Sequence, residues 1–273
     1  MKNLFIAALI FLNILTSGFA KIRNVYVIHA KGIINPVMAS YIVENIKKYD
    51  SKENLIILTL DTPGGLLESM REIVLTILNS KTIIAGYVYP PGARAASAGA
   101  FIILSTHYAF MAPSTHIGAA HPVSLGQKLD ETTKEKIVND TVAFMINIAE
   151  RRKRNQKVCI QMVKKSISLS EREALKKDVI DGVANNLNEI VYSLSKKIAI
   201  EKSPSIHHVK MNFIERFLYT ISHPQIAYIL LILGIYGILA EFSTPGIGFP
   251  GVVGSISLIL AFFGLNTLPV NTA

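Results

Sequence analysis

One serine stands out by its surroundings. In Tyr89-Pro90-Pro91-Gly92-Ala93-Arg94-Ala95-Ala96-Ser97-Ala98-Gly99, Ser97 is flanked by alanines and a glycine, which leaves room for a substrate carbonyl above its hydroxyl. An apolar helical segment follows, so the N–H of Ala98 and the helix dipole can stabilise negative charge there. A serine is inert at its free pKa and needs a base to become a nucleophile. Upstream, Asp61-Thr62-Pro63-Gly64-Gly65 sits where a buried strand ends and a helix begins. Two glycines at such a turn permit positive φ and leave backbone N–H groups aimed at an anion. Together the segments suggest acyl transfer with a backbone oxyanion hole. For the second, a tight turn with no ligand is an equal alternative.

The elements that must position these groups follow from periodicity. Val25–His29, Leu55–Leu60 and Thr82–Tyr89 read as strands, and Pro36–Lys48, Leu66–Leu78 and Ala98–Ser105 as helices. Short strands are expected near Ala109–Met111 and His116–Ala119, a long helix over about Thr133–Arg151 and a shorter one over Gln156–Lys164. Ser170-Glu171-Arg172-Glu173 is a capping box opening another helix. Val179–Ala184 reads as the last core strand, Leu187–Ile200 as amphipathic, and Pro204–Met211 as linker with a little strand. Strands alternating with helices give an α/β layered core.

The ends differ from this middle. Half of the 273 residues are hydrophobic, 17% are charged and Trp is absent, which excludes a disordered chain and points to a bilayer. Met1-Lys2-Asn3, the apolar run Leu4–Leu15, then Gly18 and Ala20 read as a secretory signal over residues 1–20, cleaved after Ala20. Gln225–Ala240 and Gly251–Leu265 are uncharged stretches joined by Glu241–Pro250, and read as a membrane helical hairpin within 223–273. Residues 21–200 form the intervening domain and 201–222 a linker. No Lys or Arg follows Phe217 and Glu241 is the one acid there, so residues 1–216 carry +10 and the whole chain +9. The basic residues are scattered without aromatic interleaving, which favours a face toward anionic lipid over nucleic acid. A positive-inside count would keep the domain cytoplasmic. Long domains translocate largely regardless of charge, so the signal decides for the extracytoplasmic side.

Strand-DTPGG-helix, strand-YPPGARAASAG-helix and APSTHIGAAHPV together resemble the membrane-bound NfeD family of serine proteases. That family is similar in fold to the Clp protease proteolytic subunit and the crotonase superfamily. The resemblance covers roughly Ile22–Asn188 and the hydrophobic tail. It implies a Ser/Lys dyad, with the lysine in a K-x-x-N pattern on the long helix, here Lys136-Ile137-Val138-Asn139. Ser97 maps to the nucleophile and Lys136 to the base. Gly65 and Ala98 become the oxyanion donors, and Gly64 a substrate-binding residue. A lysine takes up a proton only as the neutral amine, which calls for burial beside Ser97 and distance from carboxylates. Lys134 is its neighbour and rival. His121 resembles the catalytic histidine of Clp-type peptidases. It is the alternative base, with Asp178 or Asp181 completing a Ser/His/Asp triad.

The resemblance further implies a polypeptide substrate, a stomatin- or prohibitin-like membrane partner, a homodimer and no cofactor. Longer family members continue with more spans and a small β-barrel domain. Two other classes compete: a non-catalytic scaffold binding stomatin-like proteins, and an acyl-thioester enzyme of the crotonase type, which the export signal disfavours. Gly246-Ile247-Gly248-Phe249-Pro250-Gly251 matches G-x-G-x-x-G, but no βαβ unit surrounds it, so it reads as a hairpin turn. His207-His208 has no partners spaced for a metal site, and the lone Cys159 excludes an internal disulfide.

Overall fold

The computed structural model describes residues 21–123, 130–243 and 248–266. The signal segment lies outside the described residues. Six strands form the main sheet: β1 (Ile22–Lys31), β2 (Asn54–Asp61), β3 (Ile83–Val88), β5 (Tyr108–Met111), β8 (Gly182–Val183) and β9 (Ile200–Val209). Their order is β8-β5-β3-β2-β1-β9, and every neighbouring pair is parallel. Parallel strands need crossovers that cover both faces, so the strands must be apolar on both sides. They are. Val25, Val27, Leu55 and Ile57 enter one cluster, while Ile28, Ile56, Leu58 and Leu60 enter the other.

The larger cluster packs under α1 (Pro36–Lys48), α2 (Leu67–Asn79), α3 (Ala98–Ser105), α4 (Glu131–Arg151) and α5 (Gln156–Lys164). The smaller packs under α7 (Leu187–Ser195) through Ile190 and Leu194. All eight residues of α3 are buried, which makes it the central helix. Helix α1 begins as its sequence dictates: Asn35 accepts the Met38 N–H at 2.9 Å, and Pro36 takes the first turn. The expected box at Ser170 opens α6 (Glu171–Lys176). A second, three-stranded sheet joins β4 (Arg94–Ala96), β6 (His116–Gly118) and β7 (Ser168–Ser170) in the order β4-β6-β7.

Two readings change. Only Gly182–Val183 of the expected last strand pairs, at one edge. The other edge is β9, formed from residues read largely as linker, which pairs with β1 from Asn24↔Ser205 to Ile28↔Val209. An edge strand bonds on one side only, so it tolerates Pro204 and polar residues that hide it from a hydrophobic pattern. The rest of the supposed linker contains α8 (Phe213–Ile221), opened by an Asn212/Glu215 capping box.

The tail folds as two apolar helices, α9 (Pro224–Ser243) and α10 (Phe249–Asn266). The 20 residues of α9 are long and apolar enough to cross a membrane, since such a helix spans about 30 Å. The helices meet at glycines: a methyl on Gly237 would lie 2.7 Å from Gly254 Cα. Such small residues allow backbones to approach in lipid. Glu241, the lone acid of the tail, accepts the N–H groups of Gly248 and Gly251 at 3.1 Å each, capping the start of α10. Residues 244–247 of the expected hairpin turn lie outside the described residues.

Candidate active site

Strand β2 runs past Asp61 and keeps pairing, now with β4. Thr62 N–H donates to Arg94 C=O at 2.7 Å and Ala96 N–H to Thr62 C=O at 3.1 Å, which brings the Gly64-Gly65 turn against Ser97. A Cβ on Gly64 would stand 2.8 Å from Ser97 Cβ and 3.2 Å from its Oγ, and Gly64 holds φ +127°. Only glycine fits there. Ser97 itself adopts φ 53°, ψ −116° between β4 and α3, a sparsely populated conformation for a residue with a side chain. It is fixed by its own N–H to Gly118 C=O at 2.9 Å and by Ala100 N–H to its carbonyl at 3.0 Å. The half-buried hydroxyl makes no cap bond to the helix it precedes.

One N–H group directly follows this serine, and a second lies in the turn packed against it. Ala98 is the first residue of α3, so its N–H belongs to the set without an intrahelical acceptor. Gly65 bridges to Ile34, but through its neighbours: Ile34 N–H donates to Gly64 C=O at 2.9 Å, and Leu66 N–H to Ile34 C=O at 2.8 Å. The Gly65 N–H is left outside the bridge. Sequence reasoning passed over Thr62. Its hydroxyl lies 3.0 Å from both the N–H and the C=O of Gly64, tying the turn together. A Thr two residues before the first glycine was the available signal.

Lys136 lies on α4, exposed and without a hydrogen bond or ion pair among the described residues. The expected burial beside Ser97 is not present in the single chain, because the first turns of α4 project beyond the core that buries Thr141, Val142, Met145, Ile148 and Ala149. The direction of α4 is nevertheless defined. Near its end, Arg152 donates to Ser105 C=O at the end of α3 (2.6 Å) and Arg151 to Leu78 C=O at the end of α2 (2.6 Å). Further back, Phe144 stacks on Phe101, and Asp140 is paired with Arg71 from the first turns of α2. Helix α4 therefore runs parallel to α2 and α3. Lys136, Asp140 and Phe144 follow one another at i, i+4, i+8 and share a stripe. Lys136 stands one turn, about 6 Å, beyond Asp140 toward the helix starts where Gly65 and Ser97 sit. Lys134 is held by Glu131 at 2.7 Å.

His121 is half-buried, with Nδ1 2.9 Å from the carbonyl of Val163. A carbonyl only accepts, so Nδ1 carries the proton in that bond, and Nε2 makes no hydrogen bond among the described residues. No carboxylate touches the ring among the described residues. Asp181 instead accepts from Arg154 at 2.9 Å and from Ala109 N–H at 2.7 Å. The structure thus packs the Gly64-Gly65 turn against Ser97 through Gly64, with Ala98 next in the chain, and among the described residues brings no acid to His121. Among the described residues no group of three or more His, Cys, Asp or Glu could hold a metal.

The model of the NfeD1b N-terminal domain matches residues 24–223 and that of the NfeD integral membrane domain residues 225–273. The membrane-bound protease PH1510 of Pyrococcus horikoshii is 34% identical over 292 residues, covering 100% of this chain and 65% of that protein. Membrane protein NfeD1b of Bacillus subtilis is 32% identical over 255 residues, covering 90% and 57%. The chain therefore spans less than two thirds of the length of either relative. Among solved structures, a serine-to-alanine mutant of the 1510-N membrane-bound stomatin-specific protease superposes with TM-score 0.64 at 32% identity, over 70% of this chain and 99% of that one. A lysine-to-alanine mutant of the same protease, in complex with a substrate peptide, gives 0.65 at 31%, over 73% and 98%. ClpP1 of Listeria monocytogenes shares the fold at TM-score 0.50 and 19% identity, over 60% and 94%. With both family models matched and one relative 34% identical along the whole of this chain, the chain belongs to the NfeD family.

Proposed function

We propose that this protein is a membrane-anchored serine endopeptidase that cuts polypeptides through an acyl-enzyme on Ser97. The observation that carries the reading is the strained Ser97 turn, whose hydroxyl makes no cap bond, precedes the helix-opening N–H of Ala98 and packs against the Gly64-Gly65 turn. The Pyrococcus relative is a membrane-bound protease, and the similar 1510-N protease is solved with a substrate peptide, which supports it.

In this reading Lys136, as the free amine, takes the Ser97 proton while Oγ adds to the scissile carbonyl. The N–H groups of Gly65 and Ala98 hold the oxyanion, and Gly64 borders the bound peptide. On collapse the C–N bond breaks, and the Lys136 ammonium returns its proton to the leaving amine. Lys136 then deprotonates a water, which hydrolyses the ester and restores the Ser97 hydroxyl. Substrate, or a second copy in a homodimer, covers the exposed start of α4 and dries the amine. The substrate is a hydrophobic segment of a stomatin-like membrane protein, in keeping with the stomatin-specific relative, and the domain stands on the extracytoplasmic side.

Purified full-length chain in lipid nanodiscs, incubated with peptides from the hydrophobic end of a stomatin-like protein, tests this. Cleavage that Ser97→Ala abolishes supports it. Absence of cleavage from every such peptide and from intact stomatin-like protein contradicts it. One observation favours a second reading: Lys136 is exposed and makes no hydrogen bond to Ser97 among the described residues. A non-catalytic scaffold would capture the same partner equally well with Ser97→Ala and leave it whole.

A further inference from the structure

Helix α8 carries its apolar residues on the wrong side for a helix of a soluble domain. Phe213, Phe217 and Ile221, with Ile214 and Leu218, form one stripe at helical spacing. Yet Phe213 is 84% exposed, Ile214 66% and Phe217 44%. The opposite side faces the domain. Tyr219 is half-buried, with its hydroxyl 3.3 Å from the Ile33 carbonyl and 3.4 Å from that of Lys31. A Cβ on Gly32, which holds φ +107°, would meet that hydroxyl at 2.2 Å. The Glu215 carboxylate turns back to the Asn212 N–H at 2.6 Å.

The exposed stripe continues into the membrane hairpin. Ile221 is buried at the foot of the helix, and a Cβ on Gly264 near the end of α10 would stand 2.3 Å from its carbonyl oxygen. Helix α9 begins at Pro224. Lys210 and Arg216, both exposed, flank the stripe, and Glu215 is the one acid between Lys202 and Glu241. An apolar face with basic edges, contiguous with membrane helices, fits the boundary of a bilayer containing anionic lipid.

We propose that α8 lies in this boundary, its Phe213/Ile214/Phe217 face in lipid and its Tyr219 face bearing the domain. The consequence reaches the candidate site. Tyr219 holds Ile33, and Ile34 beside it exchanges hydrogen bonds with Gly64 and Leu66. The turn bordering Ser97 is then held at a fixed height above the membrane. This placement does not depend on peptidase activity.

The chain has no Trp, so Phe213→Trp and Phe217→Trp each introduce a unique probe into the full-length protein. Each variant is reconstituted in phosphatidylcholine/phosphatidylglycerol vesicles with and without lipids brominated near the top of the acyl chains, because an interfacial helix buries its apolar face roughly 5–10 Å into the boundary. Tyr192→Trp, at a position 65% exposed on α7, is the control. Blue-shifted emission quenched by the brominated lipid at both α8 positions, with the control unquenched, is the expected result. Emission at the solvent wavelength without quenching overturns the proposal. So does blue-shifted emission that brominated lipid leaves unchanged, which assigns the face to a second copy of the chain.

Discussion

Gly64 and Ser97 are packed so closely that no side chain fits between them: a methyl group on Gly64 would come within 2.8 Å of Ser97 Cβ. This contact sets both the turn and the space above the hydroxyl. Gly64→Ala adds this clash to a backbone at φ +127°, at a cost of about 1–3 kcal/mol. We expect a strong loss of peptide turnover with the overall fold kept, read as activity against far-ultraviolet circular dichroism.

Arg154 is the buried hub of the sheet's edge. It is 7% exposed and donates to Asp181 at 2.9 Å and to the carbonyl of Val179 at 3.1 Å. Arg154→Met leaves the buried Val179 carbonyl unmatched and Asp181 with only the Ala109 N–H, and should cost about 1–3 kcal/mol. A drop in thermal midpoint, partly recovered by adding Asp181→Asn, is the expected outcome. An unchanged midpoint would show that the pair contributes little.

His107 couples stability to acid. Burial, with Arg152 and Arg151 nearby, pushes it down to about 4 from its ordinary 6.5, and its Nδ1 accepts the Ile84 N–H at 3.1 Å, which requires the uncharged ring. Between those two values the unfolded chain binds more protons than the folded one. Stability therefore falls as pH drops from 6.5 toward 4 and is full above 6.5. The shift bounds this share at about 3 kcal/mol, less whatever solvent screening removes. Thermal midpoints of the full chain in detergent from pH 7 to pH 4 should decline, and His107→Gln should flatten the profile.

Cys159 is fully buried, and burial lifts its thiol to about 11. It should resist a soluble disulfide reagent at pH 8 in the native chain and react fully in guanidinium. Prompt labelling of the folded protein would mean that α5 opens readily.

Elements with caps or closed periodicity were legible in the sequence. Helices Pro36–Lys48, Ala98–Ser105 and Gln156–Lys164 coincide with the expected spans, because a capping asparagine, a proline or the end of an apolar run marks each boundary. The Gly64-Gly65 turn and Ser97 were legible because glycine and a small-residue run leave few conformations. Strand β9 was obscured by Ser203, Pro204 and Ser205, whose polarity is tolerable only at an edge. Helix α8 was missed although Asn212 and Glu215 form a capping box; its apolar stripe merged with the hairpin that follows. The exposure of Lys136 could not be read from spacing, because it depends on where α4 leaves the core rather than on its own neighbours.

The reading stands or falls on whether Lys136 activates Ser97. Full-length protein in nanodiscs, treated with a fluorophosphonate and analysed by mass spectrometry, gives the direct answer. Modification of Ser97 in the wild type and in His121→Ala, lost in Lys136→Ala, is the predicted result. Modification that persists in Lys136→Ala and disappears in His121→Ala would contradict it and pass the role of base to the histidine.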